Sequence, residues 1–352
     1  MSLYTMDFSV IGTADHARVG GKCASLGQMT QAGVAVPPGF AVTTDAYAAM
    51  LDDHGLRAEI ERHMAGVDPY DLDSIDRAAH AIRIRIRSHK LPVAVEAAIR
   101  EAYGKMGDMP VAVRSSATAE DMPDASFAGQ QDTYLWVRGI DDVLEKVRDC
   151  WASLYTTRAV AYREKNRIVH VDVLMSVGVQ KMVNARAAGV AMSLDPLNGD
   201  RTKIVIDASW GLGEMVVSGV VTPDNYTVEK VMEQIINRVI SDKHVELVGD
   251  ATVGAAVERE VDEARRRVQC PSDAEILAVA RLAKRLEKQN KCPQDVEWAI
   301  DADLPDGENL LALQSRPETI WSQKKKTDAP KTYATGMAGI VGTLTTAMHV
   351  KR

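Results

Sequence analysis

Cysteine and histidine are scarce and widely scattered in this sequence. The four cysteines lie far apart and form no CxxC pair, and the eight histidines contain no HxxxH or HxH spacing. Structural zinc sites and disulfide frameworks both depend on regularly spaced residues of these types. The sequence therefore predicts neither, and the cysteines are expected to be reduced thiols.

Long apolar runs and clusters of basic residues are missing as well. No stretch of about 18 uncharged apolar residues occurs, and the start, MSLYTMDFSV, lacks the basic and apolar regions of a signal peptide. A net charge of −7 without a long Lys/Arg cluster argues against a protein built to coat nucleic acid or an anionic membrane. We expect a cytoplasmic protein without a nucleic-acid or membrane partner.

The composition that is present is typical of a soluble globular protein. The 352 residues, of which 46% are hydrophobic and 26% charged, suffice for one large domain or two modest ones. Residues up to about Met109 are predicted to be helix-rich, and strands alternate with helices from Pro110 onward. The predicted class is mixed α/β (α+β).

Two helical predictions are specific enough to test. AIRIRIRSHK alternates like a strand, but Ala79, Ile82 and Ile86 keep helical spacing and both flanks favour a helix. The segment from Asp141 to about Lys165 is predicted to form one long helix.

The strongest candidate for chemistry is a predicted hairpin near the end of the chain. Its strands, DVEWAID and LLALQSRP, carry polar residues at every second position, which places them on one face. The segment ADLPDGEN between them supplies turn residues. A register symmetric about this turn places Asp295 opposite Arg316 and Glu297 opposite Gln314.

The same alternation assigns a face to each residue of the second strand. Ala312 is predicted to share the polar face with Gln314 and Arg316, opposite Leu311 and Leu313.

The polar face suits a metal ion. Two carboxylates on a rigid strand with an amide opposite, here Asp295, Glu297 and Gln314, match Mg²⁺, which completes its coordination with water and substrate phosphates. Arg316 offers several planar donors to a phosphate. The hairpin alone is equally consistent with a surface hairpin that holds one cross-strand salt bridge, so both interpretations stay open.

The segment RVGGKCASLG is a second candidate for phosphate binding. It is not a Walker A loop, because His16 and Cys23 stand where that pattern requires Gly and Ser or Thr. Lys22 follows a glycine pair at a helix N-terminus, where the helix dipole disfavours a cation unless a phosphate lies between them. Taken alone, the motif favours an ordinary exposed lysine.

Two further stretches have a functional and a structural interpretation. In VAVRSSATAEDMPDASFAGQQDTYL, a strand delivers Arg114 and two serines into a loop that either closes over a polyphosphate or is a plain surface loop. In WGLGEMVVSG, Glu214 stands in the first turn of a helix, where a carboxylate acts as a cap as readily as it contacts a ligand.

Several of these motifs, in fixed order, resemble the nucleotide-binding domain of the pyruvate phosphate dikinase and phosphoenolpyruvate synthase family, which has an ATP-grasp fold. Rifampicin phosphotransferases share this domain. The similar segments include GGKCASLGQMTQAGVAVPPGFAVTTDAY, VQKMV, GVAMSLDP, WGLGEMVVSGVVTPDNY and LQSRP. The resemblance implies two lobes, residues 1–183 and 184–322, that hold ATP between them, followed by a linker and tail over 323–352.

The resemblance also implies roles for individual residues. Lys22 and Arg114 grip the phosphates, Arg316 steadies the phosphate being transferred, and the loop 115–131 forms a lid. The magnesium ligands are Asp295, Glu297 and Gln314. The residues implied to contact the nucleotide are Lys22, Arg114, Ser115, Ser116, Thr133, Gln180, Lys181, Met182, Val183, Glu214, Glu297, Gln314 and Arg316.

Members of this family transfer the diphosphoryl group of Mg-ATP to a histidine on a swivelling domain, within a pattern like G-G-x-T-S-H. This sequence contains no such pattern. The resemblance therefore implies a phosphotransferase that produces AMP and phosphate and depends on a histidine-bearing subunit supplied in trans. The phosphohistidine would pass to a small-molecule acceptor bound on another domain, for which the free-standing domain of phenylphosphate synthase suggests phenol.

Three alternatives accompany this interpretation. The chain could instead be the excised ATP-binding domain of a phosphoenolpyruvate synthase or a rifampicin phosphotransferase. A self-contained antibiotic kinase is disfavoured because no acceptor domain is recognised, and a non-catalytic nucleotide sensor is disfavoured because the charged site positions are all present.

Overall fold

A computed structural model of the chain describes residues 2–117 and 133–323. Residues 118–131 of the predicted lid, together with residue 132, and residues 324–352 of the predicted linker and tail lie outside this part. The chain divides into a large unit, Met1–Pro317, and a small one, Glu318–Arg352. In the small unit, α11 spans Ile320–Gln323, and the backbone N–H of Trp321 donates to the Glu318 carboxylate.

Five strands from the first half of the chain form an antiparallel sheet. They are β1 (Thr5–Asp7), β2 (Gly39–Val42), β3 (Val111–Ala117), β4 (Thr133–Val137) and β5 (Met175–Lys181). Their order across the sheet is β1-β2-β5-β3-β4, so β5 is the central strand and β2 and β3 lie on either side of it. We call this the first sheet.

Seven helices belong to the same half of the chain. They are α1 (His16–Gln31), α2 (Thr44–Asp52), α3 (Leu56–Met64), α4 (Leu72–Ser88), α5 (Val93–Lys105), α6 (Ile140–Ser153) and α7 (Thr157–Lys165), with short 3-10 helices at Phe8–Val10, Thr13–Asp15, Asp53–Gly55 and His170–Asp172. The apolar sides of α2 to α7 share one buried cluster with the first sheet. This core supports β3 and β5 from one side.

The two helical predictions had different outcomes. The prediction for AIRIRIRSHK is confirmed, since Ala79, Ile82 and Ile86 of α4 are all buried on one side of the helix. The single helix from Asp141 to about Lys165 is wrong, because α6 ends at Ser153 and α7 begins at Thr157. The Thr156 side chain accepts the backbone N–H of Ala159 and so caps the second helix.

Strands from the second half of the chain form a six-stranded antiparallel sheet, which we call the second sheet, and a separate hairpin. The strands are β6 (Ala185–Met192), β7 (Lys203–Trp210), β8 (Asp224–Glu229), β9 (Gln234–Val239), β10 (Val245–Asp250), β11 (Ala255–Glu260), β12 (Gln294–Asp301) and β13 (Leu310–Pro317). The order in the second sheet is β13-β12-β6-β7-β8-β9, and β10 pairs with β11. The accompanying helices are α8 (Glu214–Val217), α9 (Glu263–Arg266) and α10 (Asp273–Asn290).

Helix α1 connects the two sheets. Its residues Val19, Leu26 and Met29 share a buried cluster with Ile206 and Trp298 of the second sheet, to which α10 also contributes. The predicted mixed α/β class is confirmed. The predicted boundary at residue 183 falls in the short connection between β5 and β6, and the division into two lobes stays a prediction.

None of the described helices combines the length and the apolar character that a membrane span requires.

A kink in α1 depends on a glycine. Gly20 has φ 69° and ψ 172°, a backbone conformation that is essentially restricted to glycine. A Cβ atom at this position would lie 2.1 Å from the carbonyl oxygen of Ser116 in β3. Glycine therefore permits both the kink and the close approach of α1 to β3.

We expect Gly20→Ala to lower the free energy of unfolding by about 3 kcal/mol or more, because backbone strain and the clash with Ser116 both contribute. Urea unfolding measures this. Gly104→Ala in α5 is the matched control, since Gly104 has an ordinary φ and open space around it, and it should leave stability unchanged or raise it by up to about 1 kcal/mol. Equal stabilities of the two variants would contradict this account of the kink.

Candidate functional site

A cavity of about 730 Å³ lies between the two sheets. Its walls come from α1, from β3, β4 and β5, from β6, β12 and β13, and from the turn that leads into α8. The structure thus brings together distant parts of the sequence. The predicted site residues that line the cavity are Lys22, Arg114, Thr133, Gln180, Lys181, Met182, Val183, Glu214, Glu297, Gln314 and Arg316.

The kink in α1 presents Lys22 to the cavity. Beyond Gly20 the helix resumes, so Lys22 lies in its first turn, as the sequence predicts. The Lys22 Nζ donates to the carbonyl oxygen of Ser115 at 3.4 Å. A cation thus stands beside a helix N-terminus at the wall of a cavity, an arrangement that suits an anionic ligand.

Ser115 and Ser116 are placed differently from their predicted role. Both side chains are buried, and neither residue is among those that line the cavity in the described part of the chain. The Ser116 hydroxyl instead accepts the backbone N–H of Cys23 at 3.2 Å and donates to the carbonyl of Val19 at 2.8 Å. Ser116 therefore joins the two sides of the kink, and its hydroxyl is committed to the fold.

The predicted register of the β12–β13 hairpin is confirmed where the polar residues lie. Asp295 pairs with Arg316 and Glu297 with Gln314. A bulge follows immediately, because the next pair is Trp298 with Ala312, and Leu313 is left out of the pairing.

The bulge overturns the predicted faces of β13. Ala312 is buried in the cluster that holds Trp298 and residues of α1, and it is not among the described residues that line the cavity. Leu311 packs with Ala299 in another small cluster that also includes Leu313, a residue lining the cavity. The extra residue of the bulge shifts the alternation by one position, so Ala312 no longer shares a face with Gln314.

Arg114 reaches from β3 across the cavity to this hairpin. Its Nη2 donates to Gln314 Oε1 at 2.9 Å and to Glu297 Oε2 at 3.3 Å, and its Nη1 donates to the carbonyl oxygen of Leu313 at 3.3 Å. The side chain is only 12% exposed, and its buried Nε has no hydrogen-bond partner in the part of the chain that the structure describes. One guanidinium thus joins both sheets.

The oxygen atoms around Arg114 fit a divalent cation. The contacts of Arg114 Nη2 show that Glu297 and Gln314 converge closely enough to hold one positive group between them. The described residues contain no group of three His, Cys, Asp or Glu side chains that could hold a metal ion. A metal here would have few protein ligands and would take the others from substrate phosphates and water, as Mg²⁺ commonly does.

Asp295, the third predicted metal ligand, does not line the cavity in this arrangement. Its carboxylate lies 3.5 Å from the Arg316 Nε, and that arginine is 62% exposed at the cavity rim. Asp295 and Arg316 therefore form the cross-strand ion pair that the sequence left open as an alternative. Glu297 and Gln314, two residues further into the hairpin, carry the geometry for metal binding.

Residues 180–183, which the resemblance implies to contact the nucleotide, line the cavity, but two of their backbone amides are already bonded. The N–H of Lys181 donates to the carbonyl of Pro38 and that of Met182 to the carbonyl of Pro110, both at 2.9 Å. The Gln180 side chain is buried and donates to Pro37 at 3.4 Å. A ligand contact through these two amides would require breaking hydrogen bonds within the protein.

An apolar wall beside residues 180–183 was predicted only at Met182. Ala112, Leu135, Met182 and Leu212 line the cavity and belong to one cluster. Strand alternation could have identified two of them, since Ala112 precedes Arg114 by two residues and Leu135 follows Thr133 by two. Leu212 is held by the β10–β11 hairpin, where its N–H donates to the carbonyl of Leu247 at 2.8 Å.

Glu214 lies at the start of α8 and lines the cavity with an exposed side chain. This helix has Gly213 at its N-cap, and no side-chain cap is present among the described residues. Glu214 stands in the first turn of α8, a position that is consistent both with a favourable interaction with the helix dipole and with a contact to a ligand in the cavity.

Several polar residues that line the cavity were also missed. Ser25, Gln28, Asn290, Cys292 and Gln294 line it. The Ser25 hydroxyl donates to the carbonyl of Ser315 at 2.7 Å and so ties α1 to β13. These residues carry no recognisable motif, because the packing of α1 and α10 against the hairpin brings them together.

The cavity wall predicts which cysteine reacts with thiol reagents. Cys292 is partly exposed, whereas Cys23, Cys150 and Cys270 are buried, and burial raises the pKa of the Cys23 thiol to about 11. We expect one fast-reacting thiol in the native protein at pH 8, which Cys292→Ser removes. Mass spectrometry after brief alkylation identifies the site, and equally fast labelling of Cys23 would contradict the structure.

Comparisons with known proteins agree with this geometry. Residues 16–337 match the family model of the pyruvate phosphate dikinase AMP/ATP-binding domain. A probable phosphoenolpyruvate synthase of Staphylothermus marinus is 44% identical over 89% of this chain and 41% of its own length. The phosphoenolpyruvate synthase of Aeropyrum pernix is 42% identical over 88% of this chain and 41% of its own length.

Among solved structures, D-alanyl-alanine synthetase A of Vibrio cholerae aligns over 64% of this chain and 47% of its own, at 11% identity and a TM-score of 0.25. This likeness is too low to carry an argument. The chain spans about two fifths of the length of the two phosphoenolpyruvate synthases. The extent of the family match and the identity to these relatives show that the chain belongs to the family of pyruvate phosphate dikinase AMP/ATP-binding domains.

Proposed function

We propose that this chain is the ATP-binding part of a phosphotransferase of the phosphoenolpyruvate synthase type. It would bind Mg-ATP in the cavity and transfer the terminal diphosphoryl group to a histidine of a swivelling domain supplied by a partner. The observation that carries the proposal is the convergence of Arg114, Glu297 and Gln314 on one point of the cavity wall. Cationic donors and metal-binding oxygens meet there, as phosphoryl transfer requires.

The basic residues would hold the triphosphate. Lys22 stands at the resumed N-terminus of α1, whose dipole adds to its attraction for an anion. Arg114 can give planar, multiple hydrogen bonds to phosphate oxygens, and its Nε, which no described residue accepts from, is a further donor. Arg316, at the exposed rim, is positioned to meet the group being transferred.

Glu297 and Gln314 would hold Mg²⁺. Bound Mg²⁺ would offset the negative charge that builds up on the phosphate oxygens during transfer. The protein itself would orient the phosphates and provide fixed charges at the point of reaction.

The apolar wall of Ala112, Leu135, Met182 and Leu212 would accommodate the adenine base and keep water away from it.

In the proposed reaction, the imidazole nitrogen of the partner's histidine attacks the β-phosphorus, and the bond to the oxygen that bridges the α- and β-phosphorus breaks. AMP leaves, and water then releases phosphate from the diphosphoryl group to give phosphohistidine.

The names of the relatives favour pyruvate as the final acceptor over phenol. Both proteins compared above are named phosphoenolpyruvate synthases, one of them as probable. Phenol, which resemblance to phenylphosphate synthase suggested, stays a prediction. The acceptor would bind on a domain outside the residues that form this cavity.

Glu297→Gln tests the function because it removes the metal-binding charge and preserves the side-chain shape. With the histidine-bearing protein purified from the native source, we expect AMP formation to fall by roughly 10²-fold or more. ATP labelled at the β-phosphate shows whether label reaches the histidine, and the chain alone should turn ATP over slowly.

The matched control is Glu308→Gln, which makes the same change in the exposed turn of the same hairpin. It should retain full activity. Rapid AMP production without the partner, or an unimpaired Glu297→Gln variant, would contradict the proposal. Retained ATP binding without any labelled histidine in the wild type would favour the nucleotide sensor instead.

A further inference from the structure

Arg114 occupies the two oxygen atoms that a metal would need. Gln314 Oε1 and Glu297 Oε2 both accept from the same nitrogen, Nη2, at 2.9 and 3.3 Å. A cation bound between these oxygens would lie within contact distance of the guanidinium, and two cations repel at that distance. The arrangement seen here and a filled metal site therefore exclude each other.

The hairpin bulge provides a third acceptor for this arginine. Because Leu313 is left out of the strand pairing, its carbonyl oxygen is available to accept from Arg114 Nη1 at 3.3 Å. Three acceptors from one short hairpin thus hold the guanidinium. The bulge that provides this acceptor is part of the fold, since it also places Trp298 and Ala312 in the core.

The hairpin satisfies only part of the hydrogen-bonding capacity of Arg114. The Nε of Arg114 is buried and has no hydrogen-bond partner among the described residues, and a buried donor that lacks a hydrogen bond costs free energy. A phosphate group placed in the cavity could accept from Nε and from the terminal nitrogens together. Movement of Arg114 from the hairpin to a phosphate would therefore give Nε an acceptor and remove this cost.

The charges of the side chains around Glu297 also indicate that a metal ion binds together with phosphates. Arg114 and Glu297 form one ion pair, and Arg316 and Asp295 form another beside it, so these four side chains carry no net charge. A divalent cation needs negative ligands to offset the loss of its hydration. The described side chains here supply little net negative charge, whereas a triphosphate supplies several negative charges.

We propose that Arg114 competes with the divalent cation for Glu297 and Gln314, so that the metal binds firmly only after nucleotide phosphates have drawn Arg114 away. The nucleotide-dependent step rests on the proposed function. The competition itself is a property of this chain. Its consequence is that the site does not retain a metal ion when no nucleotide is bound.

Binding of Mn²⁺ to the protein without nucleotide, measured by the loss of the free-ion signal in electron paramagnetic resonance, tests the competition. We expect Arg114→Gln to bind Mn²⁺ about tenfold or more tightly than the wild type, a factor that corresponds to roughly 1.4 kcal/mol. Arg114→Met, of similar size, is a second neutral variant should Arg114→Gln fold poorly, and circular dichroism checks each fold.

Arg316→Gln is the matched control. It removes the same charge from the same hairpin, but Arg316 contacts Asp295 and is not bonded to Glu297 or Gln314 among the hydrogen bonds of the described residues. Its Mn²⁺ affinity should stay within about threefold of the wild type, since an exposed charge is screened by solvent. In Arg114→Gln/Glu297→Gln the gain should disappear, because the released carboxylate is gone.

Unchanged Mn²⁺ affinity in both neutral Arg114 variants would overturn the proposal. An equal gain in Arg316→Gln would also overturn it, because the effect would then be general electrostatics. ATP binding to the wild type in the absence of metal is measured separately. Its failure would count against the proposed function, while the Mn²⁺ comparison contains no nucleotide and is judged by itself.

Discussion

The close approach of α1 to β3 at Gly20 is the contact on which the candidate site depends. Ser116 bridges the two sides of the kink and stands two residues after Arg114, so the helix start and the arginine are fixed relative to each other. Lys22 then faces the same cavity as Arg114. Further along α1, Ser25 bonds to β13, so one helix contacts both β3 and the hairpin. Local geometry at one glycine thus organises charges from three distant segments.

The arginines at the cavity form ion pairs with carboxylates that a bound anion could replace. Arg114 contacts Glu297 across the gap between the sheets, and Arg316 contacts Asp295 at the rim. The first pair is largely shielded from water, where a charge left without a partner is costly. Arg114 therefore remains on the hairpin until another anion replaces Glu297. This exchange connects the binding of phosphates to the binding of metal and needs only movement of side chains.

Sequence alone was sufficient where a pattern is local. The alternation of polar residues and the turn between the strands predicted the pairing of Glu297 with Gln314, and helical spacing identified α4 against its strand-like appearance. The bulge could not be predicted, because it depends on how Trp298 packs in a core shared with α1. The break at Thr156 was overlooked although the residue is a good N-cap. Strands β8 to β11 escaped prediction as well, and the edge strand β9 is mostly exposed, which weakens its apolar pattern.

The central claim is that nucleotide and metal meet where Arg114, Glu297 and Gln314 converge. The most direct measurement is a crystal structure of the chain with Mg²⁺ and a non-hydrolysable ATP analogue. The account predicts phosphates between Lys22 and Arg114, the metal on Glu297 and Gln314, and no remaining hydrogen bond from Arg114 to either residue. A nucleotide bound outside the cavity, or a metal bound while Arg114 still holds both oxygens, would contradict it.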